Sequence, residues 1–422
     1  MKKYSSYKDS GVKWLGEIPS HWKVLHLRNL IRIFSEKGFP NAQLLSVTRE
    51  KGVILRNKDD KEENHNFVPD DLSGYKHLLP GDFIINKMKS WQGSYGVSPY
   101  EGIVSPAYYT CKLKGVDKDF FSKAIRSKAY IPFFSQFSKG IRVDQWDLDP
   151  SAMKNIPFVL PSIKEQRAIA SYISQITEHI DQAMAQQKKM IDLLNERKQI
   201  IIQKAVTKGL NPNAEMKDSG IEWIGEIPSH WKVLHLRNFI RIFSEKGYPN
   251  SQLLSVTRDK GVIIRDKDDI EENHNFIPDD LRGYKHLMPG DFVINKMKSW
   301  QGSYGVSLYE GIVSPAYFTC KLKGVNKKFF STAIRSKIYT AFFMQYSKGI
   351  RIGQWDLDPA SMKNIPFILP PENEQIAITS YLEKPLHLIS DEIGQKEKIL
   401  SLLQERKQII INDVVTGKVK VC

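Results

Sequence analysis

Residues 9–161 are written again, without a gap, at 218–370. The offset is 209 throughout: Trp14 falls on Trp223, His21 on His230, Trp91 on Trp300 and Trp146 on Trp355. Of the 153 aligned positions 29 differ, and most changes are mild, such as Phe39/Tyr248 and Val68/Ile277. Solenoid units run about 20 to 50 residues. This period is several times longer, so each copy is a domain with something attached, and the chain must place one domain twice. The stretch GDFIINKMKSWQGSYGVSPYEGIVSPAY (81–108) returns at 290–317 with only Ile84/Val293 and Pro99/Leu308 changed.

The attachment is helical. From Ser162 to Leu210 there is no proline, and no glycine before Gly209. Ile169, Ile173, Ile176, Ile180, Ala183, Met190, Leu194 and Ile201 fall on alternating four/three spacing, with Gln187 and Arg197 as polar exceptions. A heptad stripe kept over more than four repeats predicts a coiled-coil seam. At 1.5 Å per residue the rod is about 60–70 Å long. The second attachment runs from Pro371 to Thr416, with Gly417 as its stop and Leu382, Ile389, Leu403 and Ile410 on its seam. Pro385 stands where the first has Ile176, which predicts a kink or an interruption. The two segments share LL-x-ERKQII (193–201 and 402–410) but differ before it, so pairing with each other is expected.

Each globular copy reads as mixed α and β. Short strands are expected at 44–47, 52–56, 82–86, 102–105 and 108–114, bounded by Gly, Pro and Asp turns. A helix is expected over 120–138, broken near Pro132. Trp14, Ile18, Trp22, Leu25 and Leu27 are expected to pack the start of the domain.

Chemistry is hard to find. There is no phosphate-binding glycine loop, no dinucleotide fingerprint and no N-P-P-[YF] of an amino-methyltransferase. His65 and His274 lack a second ligand at metal spacing. Asp70, Asp71 and Asp82 could form a nuclease carboxylate cluster, but no lysine follows cleanly at the spacing that would hold a scissile phosphate, and PDDL reads as turn and cap residues. The three cysteines (Cys111, Cys320, Cys422) make neither a disulfide framework nor a metal knuckle, which suits a cytoplasmic protein. No secretory leader and no apolar run long enough to span a bilayer is visible, so no membrane role is expected.

Binding is better signposted. The chain carries 62 Lys+Arg against 47 Asp+Glu, a net charge of +15, which favours a polyanionic partner. Three segments per copy combine cations with base-reading side chains. Arg49, Lys51 and Arg56 lie on the first; Asn86, Lys87, Lys89, Trp91, Gln92 and Tyr95 on the second; Lys139, Arg142 and Gln145 on the third. Their mates are Arg258, Lys260 and Arg265; Asn295, Lys296, Lys298, Trp300, Gln301 and Tyr304; Lys348, Arg351 and Gln354. Lysine and arginine reach phosphates, Asn and Gln pair with adenine edges, and aromatics stack or wedge. The acidic run at 59–64 cannot lie against phosphate.

Four stretches carry a resemblance: KDSGVKWLGEIPSHWKV, the 81–108 stretch, KGIR…QWDLDP…KNIPFVLP and LNERKQIIIQKAVTKG. In this order, and twice, they resemble the specificity subunit of Type I restriction–modification systems. The resemblance implies an α+β protein with target-recognition domains at 1–161 and 211–370. Long spacer helices at 162–210 and 371–422 would form an antiparallel coiled coil with pseudo-twofold symmetry. It implies a non-catalytic reader of double-stranded DNA that holds two modification subunits and, through them, restriction subunits. The chain itself would need no cofactor; its partners would use S-adenosylmethionine, ATP and Mg2+. The family pairs unlike recognition domains, whereas these are near duplicates, so an interrupted palindrome is expected. A stand-alone methyltransferase or nuclease, and a coiled-coil adaptor without DNA, are the rival readings.

Overall fold

Strand Phe83–Asn86 has no polar face in its centre: Phe83, Ile84 and Ile85 are all fully buried. Side chains alternate faces along a strand, so this run needs a core on each side. The computed structural model, which describes residues 2–57, 68–139, 146–266, 277–349 and 355–421, has both. The central strands of the first copy, between residues 31 and 113, are β1 Ile31–Phe34, β2 Leu45–Thr48, β3 Gly52–Leu55, β4 Lys76–Leu78, β5 Phe83–Asn86, β6 Tyr95–Val97, β7 Gly102–Val104 and β8 Tyr108–Leu113. An antiparallel sheet runs in the order β1-β8-β5-β6. Phe83 and Ile85 face the larger core with Trp22, Phe121, Phe134 and Phe158. Ile84 faces a smaller core that includes Leu45, Val47 and Val53 of hairpin β2–β3. The second copy repeats this order and both cores.

Residues 118–137 form two helices, Lys118–Ile125 and Ile131–Phe137. The break precedes the second helix, and Pro132 sits in that helix's first turn, where its missing N–H costs no hydrogen bond. Trp22, Ile18 and Leu27 are buried as expected. Trp14 is not: its ring is 46% exposed, with one side against Phe133 at 5.3 Å.

The chain divides into two units, Met1–Lys188 with Lys398–Cys422, and Lys189–Glu397. Each takes part of both long helices, Ile163–Lys208 and Glu372–Val415. In the first unit Lys407 Nζ donates to Asp181 at 2.7 Å; in the second Lys198 Nζ donates to Ser390 Oγ at 3.2 Å. As the first helix is followed forward, its partners on the second step back, the antiparallel sense. The seam keeps Ile180, Leu194, Ile389 and Ile410 buried, with Ile176 and Leu403 half-buried. Ile169, Ile173 and Leu382 instead enter the large globular cores.

Three expectations for the helices are corrected. Met190 is 41% exposed and lies off the seam. Ile202 and Val206, rather than Ile201, are fully buried, because the end of that helix packs into a globular core and not only onto a partner helix. Pro385 does not interrupt the second helix. Buried Leu382 and Ile389 flank it, and their packing offsets the one lost backbone bond.

One difference between the copies sits in the core. Tyr304 Oη pairs with Thr340 Oγ1 at 3.2 Å. In the first copy Ile131 takes that place, and the buried Tyr95 hydroxyl has no partner among the described residues. A buried hydroxyl left unpaired costs about 1–3 kcal/mol. Thr340→Ile is therefore expected to destabilise the second unit by about 1 kcal/mol, read as a lower urea midpoint for the transition that contains it. An unchanged midpoint would contradict this.

Candidate nucleic-acid interface

Hairpin β2–β3 carries Arg49, Lys51 and Arg56, and the loop after β5 carries Asn86, Lys89 and Gln92. These residues, separate in sequence, line one open groove of about 580 Å³ together with Ile54, Leu55 and Tyr108. Arg49, Lys51 and Lys89 are exposed, with cationic tips in solvent. The arrangement suits a nucleic-acid strand: cations for phosphates at the rim, amides and apolar surface for bases. The second copy carries the same residue types at the matching positions, Arg258, Lys260, Arg265, Asn295, Lys298 and Gln301. Of the residues lining the first groove, only Glu50/Asp259 and Leu55/Ile264 change between copies.

A half-buried arginine fixes the hairpin. Arg126 donates to the carbonyls of Tyr95 at 2.6 Å and of Arg49 and Glu50 at 2.9 Å each. Gly52 turns the hairpin at φ +71°, and a Cβ there would stand 3.2 Å from the guanidinium. Arg335 repeats the bonds to Tyr304, Arg258 and Asp259. Sequence reading missed this pair: an arginine ending an apolar helix carries no local sign that it reaches a loop 77 residues away.

The other expected contacts are placed differently. Tyr95 and Tyr304 are fully buried and are corrected from DNA contacts to core residues; each stacks on a phenylalanine, Phe134 or Phe343, at 4.0 Å. Strand alternation puts them on the sheet face opposite the hairpin. Lys87 and Lys296 are half-buried and paired with Asp147 and Asp356 at 3.6 and 3.4 Å. Asn86 and Asn295 spend their side-chain oxygens on the N–H groups of Met88 and Met297, at 3.2 Å each, so they shape the loop. Trp91 and Trp300 are half-buried against Trp146 and Trp355, at 5.2 Å in both copies. Lys348 is exposed. Arg142, Gln145, Arg351 and Gln354, the Lys139 side chain, His65, His274 and the acidic run lie outside the described residues.

Among the described residues no group of His, Cys, Asp and Glu could hold a metal ion. Cys111 and Cys320 are buried, and that burial pushes both thiols up to about 12. Such thiols are neither nucleophiles nor ready ligands. Among the described residues no helix is long and apolar enough to cross a membrane.

No protein-family model matches the chain. It is 27% identical to the type I restriction enzyme MjaVIII specificity subunit of Methanocaldococcus jannaschii, over 98% of this chain and 97% of that protein. It is 23% identical to the putative type I restriction enzyme MjaX specificity subunit of the same organism, over 98% of each. Among solved structures, a chain from work on complex assembly and conformational transition of the type I R-M system shares the fold. Its TM-score is 0.62 at 13% identity, covering 95% of this chain and 99% of that one. Over 98% of its length, this chain is similar to type I restriction enzyme specificity subunits.

Proposed function

We propose that this chain is the DNA-reading, non-catalytic specificity subunit of a type I restriction–modification complex. The observation that carries the proposal is the basic groove of the first unit, whose lining residues recur almost unchanged in the second copy of the domain. Each recognition domain takes one half of a bipartite target. Partner subunits bring the chemistry: adenine methylation from S-adenosylmethionine by two modification subunits, and ATP- and Mg2+-dependent restriction by further subunits. The place of work is the cytoplasm, where the DNA is.

The long helices supply a surface for those partners. Leu193 and Ile200 on one, and Leu402 and Ile409 on the other, stand seven residues apart and 49–59% exposed. Apolar side chains repeated at that spacing form an uncovered stripe on one helix face. Replacing Leu402 and Ile409 by Asp is expected to weaken capture of a modification subunit at least about tenfold, since charge would be buried in an apolar contact. DNA binding by the chain itself should persist. Co-purification with modification subunits at wild-type yield would exclude this face.

The function is tested by mapping methylated adenines in DNA from cells that make the complex, and by assaying the purified chain alone. Methylation at one bipartite sequence, dependent on this chain, is expected. Methyl transfer by the chain alone would overturn the proposal.

A further inference from the structure

Between two lysines, at the tip of the loop beside each groove, stands an exposed apolar side chain. Met88 is 49% exposed and Met297 is 53% exposed. One exposed methionine means little. These two differ from a stray residue because the backbone beneath them is fixed. Met88 N–H is held by Asn86 Oδ1 at 3.2 Å, and Lys89 N–H by the Asn86 carbonyl at 3.1 Å. The turn closes through Gly93 at φ +96°, a left-handed conformation. From the other side, Leu148 N–H donates to the Lys87 carbonyl at 3.0 Å. The second copy repeats each bond, and Trp300 Nε1 adds one to the Met297 carbonyl at 3.2 Å. The loop thus presents a flexible thioether on a rigid turn, next to the cations and amides of the groove.

We infer that Met88 and Met297 each contact the methyl group of a thymine in the half-site read by their unit. This rests on the function proposed above. A partner that methylates adenine requires an A·T pair in each half. In the major groove that pair shows a donor, acceptors and one apolar feature, the thymine 5-methyl. Lys89 and Gln92, which line the groove, suit the polar features; of the exposed apolar side chains near them, Leu55 stands on the hairpin and Met88 next to Lys89 on the same loop. Thioether chains adapt to irregular apolar surfaces, so the contact needs no preformed pocket.

The test is a binding titration of the assembled complex on target duplexes in which each thymine is replaced in turn by uracil, which lacks only the methyl. The wild-type complex should lose about fourfold in affinity at one position in each half, the size expected for one buried methyl. Met88→Ala should abolish that discrimination in one half and Met297→Ala in the other, with overall binding retained. Insensitivity of the wild type to every replacement, or variants that discriminate as it does, would overturn the inference. A wild-type complex that fails to distinguish its methylated sequence from random DNA would be a separate result, and would overturn the function itself.

Discussion

Replacing Arg49, Lys51, Lys89 and their mates Arg258, Lys260 and Lys298 by Ala should cost roughly a thousandfold in DNA affinity near 0.1 M salt. All six side chains are exposed, so the fold should survive their loss. Each phosphate contact contributes about 0.9 to the slope of log affinity against log salt, so that slope should fall by up to about 5. The loss should be uniform across sequences, because phosphate contacts position the protein and do not read bases. Changing only the first three residues should remove about half of the slope change. A folded sixfold variant with wild-type affinity and slope would move the DNA face off these grooves.

The target of the complex should be an interrupted palindrome. The residues that line the first groove differ from their mates only at Glu50/Asp259 and Leu55/Ile264, and the loop from Asn86 to Tyr95 is repeated unchanged from Asn295 to Tyr304. Like surfaces prefer like sequences. A chain that carries one recognition surface twice matches a site that carries one word twice in inverted sense, which is a palindromic site. One wrong base should cost about 1–3 kcal/mol in either half, and the same in both. Scrambling a whole half should bring affinity down toward non-specific binding, on the order of 10³-fold or more. Two unrelated half-sites in the methylation map would refute this. The specificity would then lie with the few residues that differ, Asn57/Asp266 and Asp144/Gly353 among them.

The two-domain plan, both long helices and the strands β2, β3, β5, β7 and β8 were legible because each rests on a local pattern. A 209-residue offset, a heptad stripe and apolar runs between turn residues all survive in one dimension. Residue type also marked the basic segments. Which of those residues share a groove was not legible. Tyr95 lies among Lys89, Gln92 and Ser94 in sequence, yet strand pairing turns it into the core. Lys87 looks equivalent to Lys89 until Asp147 pairs with it from 60 residues away. Arg126 reads as the end of an amphipathic helix, and only packing shows that it holds the tip of the basic hairpin. Pro385 breaks a helix by local rule, but flanking burial keeps the helix whole. Sequence by itself determined what repeats, what is helical and what is basic, since periodicity and charge are properties of neighbours along the chain. Only the tertiary structure decided which of the basic and amide side chains share an exposed groove, because exposure and pairing are set by contacts between segments far apart in sequence.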